Sequence, residues 1–158
     1  MRTKQAPIRK TLPDSQYGSV SVAKLINAVM RDGKKTVAAK QVYTALAELE
    51  KSTGKDALVA FDEVLQLVSP QMEVRSRRIG GAAYQVPMPV RPTRSTALAL
   101  RWLVQEANKR PNKEYHTFAE KLVAEMLDVL KNTGGAMEKR ATAHRMADAN
   151  KAFAHFRW

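Results

Sequence analysis

The constraint that most limits this chain is the recurrence of apolar residues at helical spacing in runs closed by glycine or proline. Val22, Leu25, Ile26, Val29 and Met30 stand at i, i+3, i+4, i+7 and i+8, one face of a helix. Ser19 or Ser21 is placed to cap that helix and Gly33 to end it. Val42, Leu46 and Leu49 mark a second helix that stops at Gly54. A third opens around Asp56, carries Leu58, Phe61, Val64, Leu65 and Val68, and is closed by Pro70. Their short connections predict antiparallel neighbours. Pro92-Thr93 opens a fourth, with Ala97, Leu100, Leu103, Val104 and Ala107 inside and Leu98 and Trp102 widening the stripe. Thr117-Phe118-Ala119-Glu120 is a capping box ahead of Phe118, Leu122, Met126, Val129 and Leu130. Gly134-Gly135 breaks the fifth helix, and a sixth begins near Ala136 and runs past Met146.

One stretch escapes this period. Between Glu73 and Arg91 the residues alternate as in a strand and turn at Gly80-Gly81. Arg75 and Arg77 point to one side, and Val74, Ser76 and Arg78 to the other. On the return strand Tyr84, Val86, Met88 and Val90 share a face, opposite Pro87 and Pro89. Those prolines donate no ladder hydrogen bond, so no further strand pairs there. The expected fold is mainly α: a single domain of six helices with a protruding β-hairpin at about 73–91, between the third and fourth helices. Residues 1–18 have no period and read as an extended basic arm ahead of a helical domain at 19–158.

The chain of 158 residues is long enough for a sizeable core, and it has no cysteine, which excludes disulfides, thiolate chemistry and cysteine-held metal. No apolar run approaches the length of a membrane span, and MRTKQAPIRK is neither a secretory signal nor an amphipathic transit peptide. Cytoplasmic residence is expected; a plastid-encoded protein would also lack a transit peptide, so a plastid source is compatible. Twenty-seven Lys and Arg against fifteen Asp and Glu give +12, an excess that calls for a polyanionic partner. The charge is segregated. Arg2, Lys4, Arg9 and Lys10 load the arm, while the segment from Glu73 to Arg94 holds five arginines and one glutamate. Glu48, Glu50, Asp56, Asp62 and Glu63 make the middle acidic.

Catalytic readings fail on spacing. His116, His144 and His155 form no metal or triad pattern, and the adjacent Asp62 and Glu63 diverge by about 100° on a helix. Ser19 and Ser76 lack a nucleophile-elbow context. Arg78-Ile-Gly-Gly81 and Asp32-Gly-Lys-Lys35 do not match a phosphate-cradling loop. No enzyme, metal, cofactor or small-molecule substrate is therefore expected. Lysine and arginine contacting individual phosphates fit better. All three basic residues on the ribbon are arginine, whose planar fork suits phosphates and base edges. Tyr84 reads either as packing or as a platform for an unpaired base. Phe153, Phe156 and Trp158 read as packing anchors. The rival reading is a DNA-bending architectural protein that inserts a basic ribbon into a groove.

Several long words identify a resemblance. LPDSQYGS at 12–19, MRDGKK at 30–35, EVRSRRIGGAAYQVP at 73–87, LALRWL at 98–103 and HRMADANKAFAHFRW at 144–158 resemble the bacterial-type small-subunit (30S) ribosomal protein S-seven family over nearly the whole chain. The resemblance implies six helices with a hairpin arm, and a primary binder of the 3′ major domain of 16S rRNA that nucleates assembly of the subunit head. It also implies a position at the E site beside the mRNA exit channel, near the proteins S-eleven and S-nine, and in some bacteria repression of the operon's own mRNA. By position, Arg2, Lys4, Arg9, Lys10, Lys34, Lys35, Arg75, Arg77, Arg78, Arg91, Arg94 and Arg101 match the rRNA-facing elements. Gly80, Gly81, Tyr84 and Arg145 match parts that face tRNA or mRNA. Two departures stand out: Ser95 where a second arginine is common, implying one phosphate contact fewer, and Ala141 and Thr142 where an acidic pair is common.

Overall fold

A computed structural model describes residues 10–157. It is built from α1 (Val20–Val29), α2 (Lys35–Thr53), α3 (Ala57–Val68), β1 (Met72–Ile79), β2 (Ala82–Pro89), α4 (Pro92–Lys109), α5 (Phe118–Leu130) and α6 (Gly135–Ala149), followed by a 3-10 helix at Lys151–Phe156. The six expected helices and the hairpin between the third and fourth are present. The short 3-10 helix follows α6 directly, around the aromatic residues of the tail.

The core is one cluster drawn from α1 to α5 with Ala136 of α6; Leu25, Leu46, Phe61, Leu103, Leu122 and Met126 are fully buried. Helix ends follow local chemistry. The Asp56 carboxylate accepts from the Leu58 N–H at 2.7 Å and starts α3, and Gly54 ends α2 with φ 66°. The capping box at α5 is complete: Thr117 accepts from the Glu120 N–H, and the Glu120 side chain returns to Thr117.

Three details differ from the periodic reading. The first helix ends at Val29, before Gly33, because Met30 leaves helical geometry and the chain turns through two left-handed residues, Asp32 and Gly33. Ser19 is the N-cap residue, but its hydroxyl makes no capping bond. In α4, Ala97 faces outward and Ala99 takes its place among the buried positions.

The end of the arm is docked. Asp14 accepts backbone N–H groups from Gln16 and Tyr17 and the Tyr43 hydroxyl of α2 at 2.7 Å, and the Tyr17 and Tyr43 rings pack 6.0 Å apart. Burial alone would raise the Asp14 pKa, but the Tyr43 hydroxyl and these backbone donors hold it below the usual value.

A polar junction joins α4, α5 and α6. Glu125 of α5 is 2% exposed, and its carboxylate accepts from Arg110 Nη2 at 2.7 Å and Nε at 3.1 Å. Its other oxygen accepts the Ala136 N–H at 2.9 Å, capping α6 from a different helix. Arg110 also bonds Asp128, and Lys121 donates to the Arg110 carbonyl at 2.7 Å. The chain enters α6 from this junction through Gly134 and Gly135. Gly134 has φ 93° and ψ 162°, a glycine region, and a Cβ on Gly135 would stand 2.7 Å from Glu106 Oε2.

Removing one partner of a buried ion pair strands the other, so Glu125→Ala is expected to cost about 3 kcal/mol. The chemical-denaturation midpoint reads this directly. Glu63→Ala, which breaks only the exposed pair with Lys55, should stay within about 0.5 kcal/mol.

Candidate nucleic-acid interface

The hairpin is a two-residue-turn ribbon. Ile79 pairs with Ala82, and Gly80 and Gly81 take φ values of 56° and 90°, both positive as a type I′ turn requires. Arg75 lies opposite Val86 and Arg77 opposite Tyr84, so these four share one face, while Arg78 lies opposite Ala83 on the other. Arg75 and Arg78 are exposed and Arg77 is half-buried. The ribbon's root is covered: Val86 and Pro87 are both buried.

Two intramolecular bonds seat that root on α6 and α4. The Gln71 N–H donates to His144 Nε2 at 3.1 Å, and the Ser95 hydroxyl donates to the Pro70 carbonyl at 2.8 Å. Arg140 Nη1 donates to the Leu67 carbonyl at 2.8 Å, placing a cation at the C-terminal end of α3. Ser95, His144 and Arg140 thus hold the platform under the ribbon. The Tyr84 ring packs against Phe153 at 5.3 Å and Phe156 at 5.5 Å, so the 3-10 helix grips the return strand, β2. Phe153 and Phe156 are packing anchors as expected, and Tyr84 joins their cluster. Trp158, Arg2, Lys4 and Arg9 lie outside the described residues.

From the ribbon the cations run along α4. Arg94, Ala97, Arg101, Gln105 and Asn108 are exposed at positions that form one stripe. Arg94 and Arg101 are seven residues apart, about 10 Å along the axis. Arg101 shares a groove with Lys24 of α1, and near the far end of the stripe Asn108 shares a hollow with Arg31 and Lys34. Lys10 and Lys35 line a third groove between the arm and α2. Arg91 is exposed at the N-cap of α4, and Arg145 is exposed on α6. Arg77, Arg78, Arg91 and Arg101 have no carboxylate partner among the described residues. Sequence reasoning missed Lys24 of α1 and Arg31 of the turn that follows it; the available signal was their basic charge beside Lys34 and Lys35.

Among the described residues no group of three His, Cys, Asp or Glu is placed to hold a metal ion, and no helix is long and apolar enough to cross a membrane. Asp62 is exposed and Glu63 pairs with Lys55.

One acid sits inside the basic set. Glu73 accepts from Arg75 Nε at 2.6 Å and from Arg94 Nε at 2.8 Å. Burial pushes its pKa up, but the hydrogen bonds from Arg94 and Arg75 outweigh burial, and the net shift is downward. A folded-state pKa below the ordinary 4.5 means that the bridge contributes fully above that pH and is lost as pH falls through the depressed value. Glu73→Gln should therefore show a shallower loss of stability on acidification below about pH 4.5 than the parent, in thermal melts across pH. Parallel acid limbs would contradict the assignment.

A family model described as ribosomal protein S7p/S5e matches residues 1–151, spanning the hairpin and the helices alike. The small ribosomal subunit protein uS7 of Vibrio campbellii is 55% identical over 150 residues, covering 95% of this chain and 94% of its own. That of Caldanaerobacter subterraneus subsp. tengcongensis is 53% identical over 152 residues, 96% of each chain. The uS7 protein of Streptococcus sanguinis is 51% identical over 157 residues, 99% of each. With the fold, the basic ribbon and matches of this extent in agreement, the chain belongs to the ribosomal protein S7p/S5e family of the small ribosomal subunit.

Proposed function

We propose that this chain anchors the 3′ major domain of 16S rRNA through one rigid cationic surface made of the hairpin, the exposed stripe of α4 and the α1–α2 turn. The observation that carries the reading is the placement of Arg94 and Arg101 on that stripe, with Arg75 linked to Arg94 through Glu73 at one end and Lys24 and then Arg31 and Lys34 alongside. Cations fixed at separate points of a packed body match a folded RNA by shape and phosphate geometry, without a base code. A preformed surface of this kind binds early and nucleates the head of the subunit. The exposed Gly80-Gly81 tip, with Arg145, faces the E-site tRNA and the mRNA exit channel in this reading, beside the proteins S-eleven and S-nine. The same surface represses its own operon's mRNA if that message presents a similar junction. The extent of the family match favours this reading over a DNA-bending protein.

Binding that releases counterions weakens steeply with salt, so the plot of log K against log salt for a 3′ major domain transcript should be strongly negative. A slope near zero would overturn the proposal. Arg78→Ala combined with Arg101→Ala should make that slope less negative by about 1 to 2. Both side chains are exposed, so the melting temperature should hardly move.

A further inference from the structure

We infer that Glu73 is a positioning residue that assembles Arg75 and Arg94 into one two-arginine phosphate site at the root of the hairpin. The inference rests on the RNA-binding reading above, and concerns how two of its cations are organised. Arg75 comes from β1 and Arg94 from the first turn of α4, nineteen residues further along the chain, yet both close on the same carboxylate. Arg75 uses Nε at 2.6 Å and Nη2 at 2.5 Å on Oε1; Arg94 uses Nε at 2.8 Å on Oε2.

The division of exposure gives the arrangement its direction. The Glu73 side chain is 12% exposed, while those of Arg75 and Arg94 are 53% and 49% exposed. The carboxylate thus lies beneath, and the guanidinium groups lie above it, open to solvent. Each guanidinium has five N–H donors. Arg75 spends one edge on Glu73, and Arg94 spends Nε, so Nη1 of Arg75 and both terminal nitrogens of Arg94 carry no bond to a described residue. Two planar forks held side by side fit a phosphodiester better than two free side chains, because the ordering cost is met before binding.

A purely Coulombic view gives the opposite sign. Glu73 is an acid within an otherwise basic segment, and deleting it raises the net charge by one. If it only neutralises its neighbours, its removal tightens RNA binding. If it positions them, removal weakens binding although the protein becomes more cationic.

The test uses the full chain and the 3′ major domain transcript, in a filter-binding titration at fixed salt. Glu73→Ala should weaken binding roughly tenfold, the loss expected when two ordered arginine side chains become free. Glu73→Gln keeps the shape but offers a single acceptor oxygen, and should fall between Glu73→Ala and the parent. In an Arg75→Ala, Arg94→Ala background, Glu73→Ala should no longer weaken binding, a coupling that a general folding defect would not produce. Unchanged or tighter binding by Glu73→Ala would overturn the inference, as would an equal loss in the arginine-free background. Failure of the parent chain itself to bind the transcript would instead overturn the RNA-binding reading.

Discussion

The structure turns on a carboxylate that is almost entirely out of water. Glu125 is tolerable there only because Arg110 faces one oxygen and the Ala136 N–H the other. Arg110 in turn fixes the end of α4, and the Ala136 bond fixes the start of α6. Burial opposes the charge on Arg110, yet Asp128 and Glu125 outweigh it and raise the pKa further. Three helices thus have their relative placement set at one end by one charge network, beside an apolar core that is itself less directional.

What the network places is the platform under the ribbon. α6 carries His144 to the Gln71 N–H and Arg140 to the Leu67 carbonyl, and α4 carries Ser95 to the Pro70 carbonyl. These bonds converge on residues 67–71, where α3 gives way to β1. A two-stranded hairpin alone is marginal in water. Here its root is covered by the body and its return strand is held by Phe153 and Phe156 against Tyr84, so its arginines project from a fixed base. Packing at the root holds cations separated by tens of residues in one fixed arrangement.

Much of this was legible in the sequence, and the reason differs from part to part. Helical period, Asp56, Gly54 and the Thr117–Glu120 box read out correctly because they are local. So did the Gly80-Gly81 turn and the strand alternation. The end of α1 did not, because Met30 continues the apolar period after the backbone has left the helix. Nor did Ala97, whose apolar side chain sits on the exposed stripe that carries the arginines. Long-range pairings were invisible: nothing in EVRSRR announces that Glu73 reaches Arg94, or in HRMAD that His144 accepts from Gln71. Ser95, which the family resemblance presented as a missing phosphate contact, has an internal partner instead. Arg140 likewise spends a donor on the end of α3.

The acidic residues Glu48 and Glu50 lie on the C-terminal part of α2, Asp56 caps α3, and Asp62 and Glu63 lie midway along α3, away from the stripe of α4 in sequence. This division gives the account its most direct test, which is zero-length protein–RNA cross-linking in purified small subunits with the cross-linked peptides mapped by mass spectrometry. The account predicts cross-links concentrated in peptides spanning Arg75–Arg78, Arg91–Arg101 and Arg31–Lys35, with few or none from residues 48–63. Cross-links centred on residues 48–63, with the ribbon and α4 unmodified, would contradict it.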